Sequence, residues 1–229
     1  MRLSRVLAGG AGVAAAVYAG NAALTWLQYG HPVPVPSKLL DELLPNPEAV
    51  ERHFKLIEAP ADVVFDECRN AHLMDTTTAR ALIRLRALLM GGRSDEEQPP
   101  GRLVEQMTAL GWTVLGEVPG RELVLGVAAK PWQADAGFHR VDGAFADFNE
   151  PGWVKIVWGM AVNGLSPNTA FVRTETRAVA TDEESRRKFR RYWSLVSPGI
   201  NLIRLAILRD VRAKAEARVR GLRLTPDTA

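Results

Sequence analysis

Arg173, Glu175 and Arg177 alternate along residues 171–180, so on a β-strand they share one face with Phe171 and Val179. A carboxylate between two guanidinium groups can orient an anion or move a proton when that face is dry, because desolvation shifts the titration of each group. If Val172, Thr174, Thr176 and Ala178 turn inward instead, the trio is a solvated ladder of small energetic weight. The solvated or structural alternative is the simpler one, yet the trio is the strongest polar candidate in the chain. In a catalytic version, Glu175 and Arg177 act as acid–base pair and anion holder. Cys68 and His72 lie four apart on a predicted helix, the spacing of a thiol beside an imidazole. No third orienting group accompanies them, and a lone helical cysteine is ordinarily a small buried hydrophobe. Asp135, His139 and Asp142 cluster near Trp132, but the chain has neither His-x-x-x-His nor paired cysteines. That cluster reads as a polar loop at a cavity mouth. No metal and no cofactor is expected, and no catalytic residue is identified.

The clearest strand alternation is Val154, Ile156, Trp158, Met160 and Val162. Trp158 and Met160 sit in its middle and are the first choice as walls of a ligand cavity. With Phe145, Glu175, Arg177 and Tyr192 they complete the candidate ligand-contacting set. Aromatic residues at strand spacing are also ordinary core, so the packed alternative stands beside this one.

These residues need elements to hold them. Residues 181–219 read as one long helix, with Phe189, Tyr192, Val196, Ile200, Ile203, Ile207 and Val211 forming an apolar stripe. Thr181 and Glu184 have the spacing of a capping box, and Pro198 should kink the helix near Ser197. Strands are expected at 50–57, 112–118, 121–129, 144–148, 152–163 and 171–180. Helices are expected after Asp62, at 78–90 and at 103–110, with a polar loop over 91–101. Short links between successive strands imply antiparallel hairpins. The order is strand, helices, strand meander and long helix: an α+β fold with helices on one face of an antiparallel sheet.

The 229 residues carry a net charge of +3, too small to argue for a nucleic-acid partner, and one cysteine, which excludes an internal disulfide. Residues 6–29 contain no charge and follow Arg2 and Arg5. As a helix they would span roughly 36 Å, enough for a bilayer core. Residues 1–29 are therefore expected to be an N-terminal transmembrane anchor, with a cleaved signal and a soluble helix as alternatives. The arginines slightly favour placing the domain on the outer face. Residues 30–48 read as a proline-rich linker with a short helix, 49–220 as the folded domain and 221–229 as a tail. The long helix is strongly basic, from Arg186 to Arg223, which suits a solvated face or contact with anionic lipid headgroups.

One stretch resembles a known superfamily. Residues 54–65, Phe-Lys-Leu-Ile-Glu-Ala-Pro-Ala-Asp-Val-Val-Phe, look like the first strand, Ala-Pro break and opening helix of the helix-grip (SRPBCC, START-like) proteins. Gly120 to Gly126 in the meander and Phe189-Arg-Arg-Tyr-Trp193 at the last helix add to the likeness. Lipid-transport-like proteins and polyketide cyclases and dehydratases belong to that group. The resemblance covers residues 49–219 and implies a curved antiparallel sheet wrapped around the long helix. Between them it implies a cavity for a hydrophobic or lipid-like small molecule. The superfamily has no universal catalytic motif, so no catalytic residue carries over. Three functions follow as expectations: a membrane-tethered ligand-binding domain, a cyclase or dehydratase, and a scaffold with a packed interior.

Overall fold

Among the described residues, period-two stretches pair into a five-stranded sheet, antiparallel throughout, in the order 49–57, 169–180, 154–166, 122–129 and 113–118. The strands are β1 (Ala49–Ile57), β2 (Thr113–Val118), β3 (Glu122–Ala129), β4 (Val154–Ser166) and β5 (Thr169–Ala180). The structure, a computed structural model, describes residues 16–33, 36–71, 80–81, 101–141 and 143–224. The helix expected at 78–90, apart from 80–81, lies outside the described residues, as do His72, Asp142 and most of the loop at 91–101. Helix α1 covers 16–28, α2 is Lys38–Leu43, α3 is Ala61–Arg69, α4 is Leu103–Ala109 and α5 is Glu183–Leu224. The expected α+β order is present. In place of the strand expected at 144–148 there is a single 3-10 turn, Phe145–Asp147.

Both faces of the sheet are covered. Trp158 and Met160 of β4, Val172 of β5, and Leu123 and Leu125 of β3 pack against α3 and α5. On the opposite face, Leu40 and Leu44 cover Val124, Val157 and Phe145. Residues 38–44 are thus a layer of the fold rather than part of a spacer. That second layer explains why β3 is buried at seven successive positions instead of alternating.

The core-facing line of α5 runs through Phe189, Trp193, Leu208, Val211 and Ala215. Tyr192, Val196, Ile200, Ile203 and Ile207 are only partly buried beside it. The N-cap is Asp182, not Thr181. Asp182 Oδ1 accepts the Ser185 N–H at 2.9 Å and Oδ2 the Ser185 hydroxyl at 2.7 Å, with the Gly152 N–H alongside. The Thr181 hydroxyl is engaged with the Trp153 backbone instead. Hydrogen bonds from Ser185 and Gly152 bring the Asp182 carboxyl down to about 2. A carboxyl lowered in the folded state stabilises at pH above its unfolded value and loses that contribution as pH falls through the folded one. Asp182→Ala should therefore cost about 1 kcal/mol at neutral pH, and denaturation midpoints of variant and parent should converge below about pH 2.

Residues 1–15 of the expected transmembrane segment lie outside the described residues. Among the described residues no helix is long and apolar enough to cross a membrane. Instead α1 is docked on α5 beside Pro198, which lies inside that helix without ending it. A proline at 198 frees the Ser194 carbonyl of its helical partner. Next to that break the Tyr18 hydroxyl donates to the Leu195 carbonyl, and the Ser197 hydroxyl bonds Thr25 Oγ1 at 3.2 Å. Arg190 lies 4.1 Å over the Trp26 ring and donates to the Trp26 carbonyl. Tyr29 packs edge-on against Phe189 and donates to Glu48 at 2.7 Å.

Candidate functional site

The parity of β5 separates the six candidate residues. Thr174, Thr176 and Ala178 face α5, so Arg173, Glu175 and Arg177 face the other way. Trp158 and Met160 therefore come together under α5, whereas Glu175, Arg177 and Phe145 lie on the α2 side. Tyr192 stacks on Phe189 at 6.3 Å in a separate cluster near α1.

On the α2 side Glu175 and Arg177 are not part of a solvated ladder, because α2 and its flanks cover them, whereas Arg173 is partly exposed. Glu175 and Arg177 are only 1% and 3% exposed. Arg52 Nε donates to Glu175 Oε2 at 2.7 Å, Arg177 Nε to Glu175 Oε1 at 2.8 Å and Arg177 to Asp41 at 2.6 Å. Burial alone would raise the Glu175 carboxyl; the bonds from Arg52 and Arg177 more than offset it and hold it below the ordinary carboxylate range. A carboxylate so held has no proton to give at neutral pH and a poor capacity to take one. The network borders a cavity of 420 Å³ also walled by Pro32, Pro45 and Pro47. Its bonding suits it to fastening α2 and β1 to the sheet.

Under α5 the arrangement differs. Trp158, Met160 and Thr174 from the sheet and Arg204, Ile207 and Val211 from α5 enclose a gap of 20 Å³. Among the described residues Trp158 Nε1 and Thr174 Oγ1, both of which line this gap, are buried without a hydrogen-bond partner. Arg204 stacks 5.0 Å over the Trp158 ring and forms no salt bridge among the described residues. Burial draws its guanidinium down to about 10, opposed by the Glu51 carboxylate, so it remains charged at neutral pH. Three donor groups thus converge on one gap, and among the described residues none of them has a hydrogen-bonded or salt-bridged acceptor there. A buried polar atom left unpaired costs stability, and such atoms are few in folded proteins.

Register extends the cluster to the sheet edge. On β1, Glu51 lies opposite Thr176 and His53 opposite Thr174. Ala49 and Ile57 are in the helix-facing clusters, so the intervening odd positions share that face. His53 Nε2 lies 2.9 Å from Glu51 Oε1, an imidazole oriented by a carboxylate. Glu51 also borders a cleft of 330 Å³ between α1, β1 and α5, lined by Thr25, Tyr29, Trp193, Ser197 and Asn201. The Glu51 carboxylate acts on both spaces, since it borders the cleft and attracts Arg204 in the gap.

Of the other two constellations, only Cys68, Asp135 and His139 lie among the described residues. Cys68 is buried, and burial together with Glu67 pushes its thiol up to about 12, far from a reactive thiolate. His139 stacks on Trp153 at 5.0 Å, while Asp135 caps the Gly137 N–H at 3.0 Å. Among the described residues no cluster of three metal-ligating side chains occurs.

No family model matches the chain, and no curated protein matches it in sequence. Among solved structures it is similar to the Zhui aromatase/cyclase from Streptomyces sp. R1128, at 14% identity over 75% of this chain and 95% of that one, with a TM-score of 0.30. It is also similar to the di-domain aromatase/cyclase BexL from the BE-7585A biosynthetic pathway, at 15% identity, 76% of this chain and a TM-score of 0.24. The chain spans 53% of BexL. Likeness of this degree carries no functional argument, and the site stands on its own geometry.

Proposed function

We propose that this chain binds an amphipathic small molecule between the sheet and α5, with a carbonyl or carboxylate end held by Trp158, Thr174 and Arg204. The observation that supports it most is the convergence on one gap of two buried donors and an arginine that, among the described residues, have no hydrogen-bond or salt-bridge partner. The gap has room for about one acceptor atom, since a water needs at least 10–15 Å³. The body of the ligand is assigned to the 330 Å³ cleft at Glu51, whose volume is in the range of small-molecule sites. Binding, not turnover, is the function these donors support best.

The Glu51–His53 contact favours a second reading, a cyclase- or dehydratase-type enzyme. His53 would take a proton from the carbon beside the ligand's carbonyl while Arg204 and Trp158 stabilise the oxyanion that forms. This places the proton-transfer role on β1 rather than on Glu175 and Arg177.

The full chain is the right material for the test, because α1 and α2 pack into the fold. Native mass spectrometry of that chain, with small-molecule analysis of its denatured extract, should show a bound amphiphile bearing a carbonyl or carboxylate. Titration with decanoate should show saturable binding at least about tenfold tighter than with decanol, since hydrogen bonds to charged groups are the stronger ones. Equal binding of the acid and the alcohol would remove the role assigned to the donors. No binding of either, with an empty extract, would favour a packed scaffold.

A further inference from the structure

The outward face of α5 carries a pattern that ligand binding does not use. Arg187, Arg191, Leu195, Leu202, Leu205 and Arg209 fall within an arc of about 80° on a helix of 3.6 residues per turn. The three leucines are 60%, 50% and 40% exposed. Arg187, Arg191 and Arg209 flank them at the two ends, also exposed. Arg191 and Arg209 form no salt bridge among the described residues, and Arg187 has only the longer-range pull of Glu184. By contrast, Arg186, Lys188, Arg212, Lys214 and Arg218 of the same helix are ion-paired.

Helix α1 extends the surface. It has no charged residue over 16–28, yet Val17, Leu24 and Leu27 are 66%, 58% and 69% exposed. Tyr18, bonded to the Leu195 carbonyl, sets α1 beside the leucine stripe, and Trp26 under Arg190 secures its other end. Of the fifteen large apolar residues exposed on the described chain, eight belong to these two helices. An apolar surface so concentrated, with amphipathic Tyr and Trp rings and unpaired arginines at its margins, has the composition of an interfacial membrane-binding face. A second copy of the chain would bring like-charged arginines together across this stripe; an anionic surface would complement them.

We infer that α1 and the outer stripe of α5 lie in the plane of a membrane surface rich in anionic phospholipid. The leucines enter the headgroup boundary and Arg187, Arg191 and Arg209 meet lipid phosphates. This is association with one leaflet rather than a span, and it does not depend on the ligand-binding reading.

Co-sedimentation of the full chain with vesicles tests it. Vesicles of phosphatidylglycerol mixed with phosphatidylcholine should bind the protein, phosphatidylcholine alone should bind it much less, and added salt should release it. The pair Leu202→Glu and Leu205→Glu should reduce partitioning at least about tenfold, as should Arg191→Glu with Arg209→Glu. All four sites are exposed, so circular dichroism and gel filtration should match the parent. Equal binding to both lipid compositions would overturn the inference, as would undiminished binding by both variants. A dimer that the leucine variant breaks, with no vesicle binding by the parent, would assign the face to a second copy instead.

Discussion

Glu175→Ala is expected to destabilise the fold by about 3–5 kcal/mol and to lower Tm by roughly 10 °C. The carboxylate accepts from Arg52 at 2.7 Å and from Arg177 at 2.8 Å, on the face of β5 covered by α2. Removing it takes a carboxylate partner from each of two largely buried guanidinium groups. The cost is then the penalty of uncompensated buried charge rather than the small net worth of an ion pair. If so, adding Arg177→Met to Glu175→Ala should recover part of the loss, although it also gives up the bond from Arg177 to Asp41. The sign of the pH dependence follows from the lowered Glu175 carboxyl. Its contribution is present above the ordinary carboxylate range and is lost as pH falls through the folded value. The stability gap between the parent and Glu175→Gln should therefore narrow on acidification. A gap that stays constant to low pH, or a double variant worse than both single ones combined, would show that the network acts by packing alone.

That network marks the boundary of what was legible in the chain. Alternation along residues 171–180 defines two faces, and Glu175 and Arg177 do share one. Which face meets α5, and whether the other is wet, depends on a partner far away in sequence. The partner is α2, whose Leu40 and Leu44 are buried on the sheet although prolines on both sides make the segment look like a spacer. The strands and the long helix were legible because period two and period 3.6 leave direct marks in apolar residues. Alternating small and aromatic residues at 144–148 fit a strand, but a 3-10 turn leaves the same mark. The N-cap was misassigned by one residue because Thr181 and Asp182 are both good caps, and only the Trp153 backbone decides between them. Glu51, His53 and Arg204 were missed. Parity in β1 could not mark Glu51 and His53, because Val50, Phe54 and Leu56 make the even positions look inward although Phe54 and Leu56 are exposed. Arg204, by contrast, does interrupt the apolar register between Ile200 and Leu208. Of the apolar N-terminal segment, residues 16–28 rest on α5 through Tyr18 and Thr25, a contact that apolar length alone does not announce.

Arg204→Met should weaken binding of a carboxylate ligand such as decanoate at least about tenfold, equivalent to about 1.4 kcal/mol, while leaving Tm unchanged or higher. The two effects have opposite signs for one reason. Burial lowers the Arg204 guanidinium to about 10, so the folded protein carries a charge it holds less favourably than the unfolded chain does. A cation with a lowered folded value costs stability at every pH below that value, and the cost fades as pH rises through it. Methionine keeps an apolar stem over the Trp158 ring and removes the charge. What it also removes is the donor that a ligand carboxylate would meet. Thr174→Val makes the same point without charge: the hydroxyl has no partner among the described residues, so its loss should not destabilise, yet it should weaken decanoate binding. A side chain kept for stability behaves in the reverse way. If Arg204→Met lowers Tm by several degrees and leaves decanoate binding intact, the stack on Trp158 is a structural clamp and the acceptor site lies elsewhere. If stability holds and affinity falls in both variants, the unpaired donors under α5 are retained for a ligand, because the folded chain gains nothing from them on its own.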